Sequence, residues 1–227
     1  MILWSCSKPE SKTTKDVPEI TSEVIPEKHA EPASKPRDRE SQSVFEEREF
    51  ALDAIPNELH YDGKAKDGAH WKDNLGEHWL LISEKKAGAS FDPGHVSNLY
   101  AACWRNTENG WQQQWQIKDF NQKDWESRSY MDGTIKLSDL DKDGIAESLF
   151  IYQLGQDGLD PTDFKLMLHV NNVKYAIRGT LASEESDIGE VDKMKPDKAF
   201  DEIDPMFKKY AIEEWSGMAK KWNANLR

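Results

Sequence analysis

Four times between residues 64 and 181, one β-prone run meets a second across a short polar break. KAKDGAHWKDNLGEHWLLISEKK, Lys64 to Lys86, turns at DNLGE (Asp73 to Glu77). NLYAACW and WQQQWQIKDF flank RNTENG, in which Asn109-Gly110 is a strong turn pair. GTIKLSDL and ESLFIYQL flank an aspartate-rich loop, and FKLMLHV and VKYAIRGTL flank Asn171-Asn172. Breaks this short permit only an antiparallel return, because a parallel neighbour needs a crossover of about a dozen residues or more. Strand and helix do not alternate, which argues against a doubly wound fold. The pattern predicts a mainly β chain with a C-terminal helix (α+β): antiparallel hairpins forming a sheet or sandwich, with the helix docked on it.

Ahead of these hairpins, EFALDAIP (Glu49 to Pro56) sets Phe50, Leu52 and Ala54 at alternate positions and stops at proline, predicting a first strand. Helix is the competing reading, since Ser43 and Glu46 have capping-box spacing. At the far end, Asp204 is placed to cap a helix and Pro205 to occupy its first position. Phe207, Tyr210, Ala211, Trp215, Met218 and Trp222 then form one apolar stripe over a helix of about 205–222. Such a stripe is expected to dock on the sheet rather than to hold a cofactor.

The N-terminal part has a different character. MILWSC resembles the tail of a bacterial lipoprotein signal, with Cys6 as the lipidation site, and residues 1–6 read as the remnant of such a signal. Residues 7–44 carry Pro9, Pro18, Pro26, Pro32 and Pro36 among Lys, Glu, Ser and Thr, with no aromatic residue before Phe45. That composition cannot bury enough apolar surface to offset the entropy of ordering it, so a disordered tether is expected. Residues 45–227 form the single β-rich domain, and the layout predicts a lipid-anchored protein of the bacterial envelope, periplasmic or on the outer-membrane surface. A soluble domain in which Cys6 carries no lipid is the alternative. No run approaches the ~20 apolar residues of a membrane helix. Lys and Arg number 30 against 42 Asp and Glu, a net charge of −12, which argues against nucleic acid and suits a cation.

LSDLDKDGIAESLFIY, Leu137 to Tyr152, concentrates that charge. Asp139, Asp141, Asp143 and Glu147 fall at positions 1, 3, 5 and 9 of a loop, with Gly144 at position 6 and the backbone carbonyl of Ile145 at position 7. Hard oxygens at this spacing suit Ca²⁺. Position 12 of an EF-hand would be acidic, and here it is Phe150; the flanks are strands, not helices. The loop resembles the strand–loop–strand calcium sites of β-propeller repeats, although no second copy is present. A solvated turn whose aspartates accept backbone N–H groups is the competing reading. The cation's expected role is structural, for no nucleophile or acid–base partner is close in sequence.

Catalytic motifs are missing. The histidines His29, His60, His70, His78, His95 and His169 form no metalloenzyme spacing, and no G-x-S-x-G, phosphate loop or dinucleotide fingerprint occurs. His70 and His78 are placed to meet Asp73 and Glu77 across the first hairpin, as a polar hairpin end. Cys103 reads as a small buried hydrophobe, and Cys6 and Cys103 make no disulfide framework. Of the nine tryptophans, Trp104, Trp111, Trp115 and Trp125 gather near one hairpin, which offers a glycan-stacking face; core packing is the other use of such residues.

WKDNLGEHWLLISE, LYAACW, WQIKDF, LSDLDKDGIAESLFIYQL, DGLDPTDFKLMLH and KYAIRGT, in that order over about 50–181, resemble a family of small bacterial proteins. Many of its members are lipoproteins labelled as surface polysaccharide biosynthesis proteins. Members often carry a cysteine before a D-x-S-P stretch; the corresponding run, Gln156 to Pro161, has none. The resemblance implies an envelope location more than a reaction. Taken together, the expectation is a non-enzymatic, membrane-anchored protein that binds Ca²⁺ and a surface glycan or envelope partner. An enzyme acting on surface polysaccharide is the runner-up.

Overall fold

Two antiparallel sheets and one helix make three layers. Sheet 1 is a meander of β1 (Glu46–Arg48), β2 (Lys64–Asp73), β3 (Gly76–Lys86), β4 (Val96–Thr107) and β5 (Gly110–Phe120), paired in chain order. Sheet 2 contains β6 (Ser127–Tyr130), β7 (Lys136–Ser138), β8 (Glu147–Gly155), β9 (Thr162–Val170), β10 (Val173–Leu181) and β11 (Lys193–Pro196). Its order is β11-β10-β9-β8-β6, and β7 also pairs with β8. The helix α1 spans Pro205–Asn225. This computed structural model describes residues 45–86, 96–121, 126–155, 161–183 and 193–225, so Cys6, the 7–44 tether and Trp125 lie outside the described residues.

Turn chemistry sets the strand register. Asn171 and Asn172 sit at φ 49° and 65°, the left-handed pair that a two-residue hairpin turn needs, and Val170 pairs with Val173 across them. The β4–β5 turn falls one residue earlier than the Asn109-Gly110 signal suggests, because Thr107 pairs with Gly110, which takes φ 90°. The expected first strand is corrected. Pairing occurs at Glu46–Arg48, while Leu52–Ala54 forms a 3-10 turn with Leu52 51% exposed. The Glu49–Pro56 segment instead crosses the outer face of sheet 1. There Phe50 and Ile55 pack on Trp79, Leu81, Ala102 and Trp104, so apolar alternation marks a covering segment rather than a ladder strand.

β3 and β8 lie inside their sheets and are covered on both faces, which explains their near-continuous apolar runs. Leu80 and Ile82 face sheet 2, with Phe150, Tyr152 and Met167 opposite. Leu149, Ile151, Phe164, Leu166 and Leu168 face the helix, where Phe207, Ala211, Trp215 and Met218 close the second core. Asp204 caps α1, its Oδ1 accepting the Met206 N–H at 2.9 Å, and the helix extends to Asn225, past the expected 222. The Trp222 Nε1–H donates to the Ala182 carbonyl at 2.8 Å and fixes the last turns.

Polar contacts join the sheets as well. Tyr130 donates its hydroxyl to Asp67 and Tyr152 donates to Asp119, each at 2.8 Å. Asp119, on the edge strand β5, also accepts from Arg128 Nε at 3.0 Å and from Lys165 Nζ. Burial works against its charge, yet Lys165, Tyr152 and Arg128 together hold its carboxyl below the usual range.

Candidate metal centre

The aspartate loop joins β7 to β8 and lies against the β2–β3 turn. Three of its carboxylates converge: one oxygen each from Asp139, Asp141 and Glu147 falls within 4.8 Å of the others. Ligand oxygens about 2.4 Å from a Ca²⁺ ion lie no more than about 4.8 Å apart, so the spacing fits one shared ion. Asp139 is half-buried, Asp141 exposed and Glu147 3% exposed. Three carboxylates supply hard oxygen ligands of the kind that divalent cations take.

Glu147 is the anchor. Its Oε2 accepts the Ser138 hydroxyl and the Leu140 N–H, both at 3.0 Å. Burial raises its pKa to about 7; those hydrogen bonds pull the other way, and Asp141 adds to the rise. A buried carboxyl beside other carboxylates is a group that a cation would relieve.

Of the five residues expected at the site, three converge through their carboxylates. Asp143 lies outside the convergent three: its Oδ1 accepts the Ile145 N–H at 2.7 Å, an Asx turn that leads the chain back toward β8. Partial burial, with Asp141 and Asp139 nearby, raises its pKa. Ile145, whose carbonyl is the expected ligand, follows directly on that turn and also lines a neighbouring cavity. Asp141 accepts the Asp143 N–H at 3.2 Å and Asp139 the Gly144 N–H at 3.3 Å. The solvated-turn bonds and the convergent carboxylates therefore coexist: the turns are what aim Asp139 and Asp141 at Glu147.

A clasp from sheet 1, not evident in the sequence, holds the loop. The Asn74 N–H donates to the Gly144 carbonyl at 2.8 Å, and Asn74 Nδ2 donates to the Asp143 carbonyl at 3.0 Å. Asp73 Oδ2 accepts the Ala146 N–H at 3.2 Å. Gly144 is required twice over, since it takes φ 79° and a Cβ there would lie 1.9 Å from Asn74 Nδ2. DNLGE was legible as a turn; its second role as a seat for the aspartate loop was not.

Beside the clasp, Asp73 Oδ1 accepts a hydrogen bond from His78 Nε2 at 3.0 Å, and Trp71 Nε1 donates to Asp73 Oδ2 at 3.0 Å. Burial opposes the Asp73 charge, but His78 and the Leu75 and Ala146 N–H groups leave its pKa lowered. His70 pairs with Glu77 at 2.9 Å and stacks on Trp79, while His78 stacks on Trp71. The hairpin end that His70 and His78 were expected to form is thus a pair of His–carboxylate bonds backed by tryptophan. His78, His169 and Cys103 line a cavity of about 20 Å³, room for one water but not for a substrate. Burial holds the Cys103 thiol far above its usual pKa, so it is inert as a nucleophile.

The tryptophan face is corrected in part. Trp104 is 4% exposed and belongs to the outer core of sheet 1, where it cannot reach a sugar. Trp111 packs on that same core, and Trp115 lies flat on His169 with ring centroids 3.6 Å apart. Among the described residues, no helix is long and apolar enough to cross a membrane. Comparison of the chain with protein-family models, with curated proteins and with solved structures gives no match.

Proposed function

We propose that this chain is a non-enzymatic, lipid-anchored protein of the bacterial cell envelope. Its β domain binds calcium at Asp139, Asp141 and Glu147 and presents a surface to a glycan or a protein partner. The observation that carries the cation site is the convergence of three carboxylates around a buried Glu147. The envelope location is supported by sequence alone: Leu3-Trp4-Ser5 ahead of Cys6, the proline-rich 7–44 spacer, and the resemblance over about 50–181. A structural role for the ion follows from position. The loop seals one end of the two-sheet sandwich through Asn74 and Asp73, so an ion fixing the loop also fixes that end.

Thermal unfolding of the full chain with millimolar Ca²⁺ and with chelator tests the site. An ion present at a hundredfold excess over its dissociation constant stabilises by about 2.7 kcal/mol. For a domain of this size that is a rise of roughly 5–10 °C in Tm. Asp141→Asn, at an exposed position, should abolish the rise while leaving the chelated Tm near that of the parent. An unchanged Tm on adding Ca²⁺ removes the site. Palmitate labelling of the precursor, lost in Cys6→Ala, tests the anchor separately.

A further inference from the structure

Beyond β5, the edge of sheet 1, the inward face of sheet 2 carries a row of cations. Cross-strand partners share a face, and Tyr152 pairs with Lys165, Lys165 with Arg178, and Arg178 with Lys195. The next row reads Leu154, Asp163, Thr180 and Lys193. Lys165 is neutralised by Asp119 of β5. Arg178, Lys193 and Lys195 are exposed, and none has an ion pair among the described residues. The rows border an open groove of about 550 Å³, within the size range of small-molecule sites.

Two features make this more than a solvated charged face. First, the chain carries a net charge of −12, yet places Arg178 and Lys195 directly opposite one another, where like charges destabilise a sheet. Second, the groove is not uniformly basic. Asp163 lines it and accepts the Thr180 hydroxyl at 2.6 Å on Oδ1, which leaves Oδ2 to accept from further donors. Leu154, in the same row as Asp163, adds apolar surface. A bare anion would be repelled by Asp163. A ligand bearing an acidic group for Arg178 and Lys195, hydroxyls for Asp163 and a C–H face for Leu154 matches every wall.

We propose that this groove binds an acidic saccharide, with its carboxylate held in bidentate fashion by Arg178 and flanked by Lys195, and a hydroxyl donated to Asp163. The inference rests on the glycan-binding half of the function proposed above and not on the cation site. The two lie at opposite ends of β8, Leu154 bordering the groove and Glu147 the aspartate loop.

Calorimetric titration of the full chain with tri-galacturonate, in chelator, tests it while keeping the calcium reading out of the measurement. Maltotriose and inorganic phosphate serve as the neutral and hydroxyl-poor probes. The trisaccharide acid should bind, maltotriose and phosphate should not, and Arg178→Gln should weaken binding at least about tenfold. Asp163→Asn should also weaken it. Arg178 is exposed and without an ion pair among the described residues, so Arg178→Gln should keep the parent Tm, and equal Tm values in chelator verify the fold. Equal binding of maltotriose, equal binding of phosphate, tighter binding by Asp163→Asn, or no effect of Arg178→Gln overturns the proposal. None of these results bears on the calcium shift.

Discussion

His169, the penultimate residue of β9, lies with its ring flat on Trp115 and its Nδ1 buried without a hydrogen-bond partner among the described residues. Burial, assisted by the Lys174 charge, lowers its pKa from 6.5 to about 3. A base whose folded pKa is depressed contributes stability that is complete above the unfolded value and is lost as pH falls through the folded one. The window here is about 6.5 down to about 3, and the loss is on the order of 4 kcal/mol at its acid end. His169→Phe keeps the stack and removes the proton. Its acid-unfolding midpoint, followed by tryptophan fluorescence, should lie at lower pH than that of the parent; coincident midpoints would show that His169 does not stay neutral in the fold. Nothing local in FKLMLHV distinguishes this histidine from a solvated one. Its state is decided by a tryptophan more than fifty residues earlier.

At the scale of elements, the aspartate loop and the β2–β3 turn behave as one unit. Gly144 and Asn74 interlock, and Lys142 joins Gly144 in the left-handed region with φ 60°. Gly144→Ala should cost roughly 2 kcal/mol in urea denaturation, combining left-handed strain with the collision against Asn74. Asn74→Ala loses the Nδ2 bond to the Asp143 carbonyl and keeps the backbone bond to Gly144, a cost of about 1 kcal/mol. In the double variant the collision is relieved, so the two costs should sum to less than their separate values. Strict additivity would show that the two residues do not interlock. The helix illustrates the opposite case. Asp204, Pro205 and the Phe207-to-Trp222 stripe specify it locally, and the structure changes only its last turn.

For the whole molecule, the sheets are joined by carboxylates of sheet 1 that accept from tyrosines of sheet 2. Asp119 is the most connected, meeting Arg128, Tyr152 and Lys165 at once. Asp119→Asn should destabilise by about 2 kcal/mol, since it strands Lys165 and leaves Arg128 with Glu126 alone, and should raise the unfolding rate measured by stopped-flow. A loss below about 0.5 kcal/mol would mean that the cluster is screened as a surface pair is. The same substitution frees Lys165 at the margin of the groove, so the arrangement ties sheet packing to the charge on that face.

The sequence by itself determined the antiparallel hairpins and the terminal helix. Each depends on residues within a few positions of one another: Asn171-Asn172 can adopt left-handed φ, Asp204 can cap, and alternating side chains sort themselves between two faces. It also marked the aspartate loop, because paired carboxylates and a glycine at fixed spacing are a local signal. The tertiary structure decided which members of that loop converge, sending Asp143 to Ile145 and gathering Asp139, Asp141 and Glu147. It decided that Trp104 is core, that Glu49–Pro56 covers a face instead of joining a ladder, and that Arg178 and Lys195 stand uncovered. These outcomes depend on which face of one sheet meets which face of another, and how far one overhangs the other. Segments that meet there are far apart in the chain, 73 residues for Asp73 and Ala146, and periodicity within a strand carries no record of what lies across the gap.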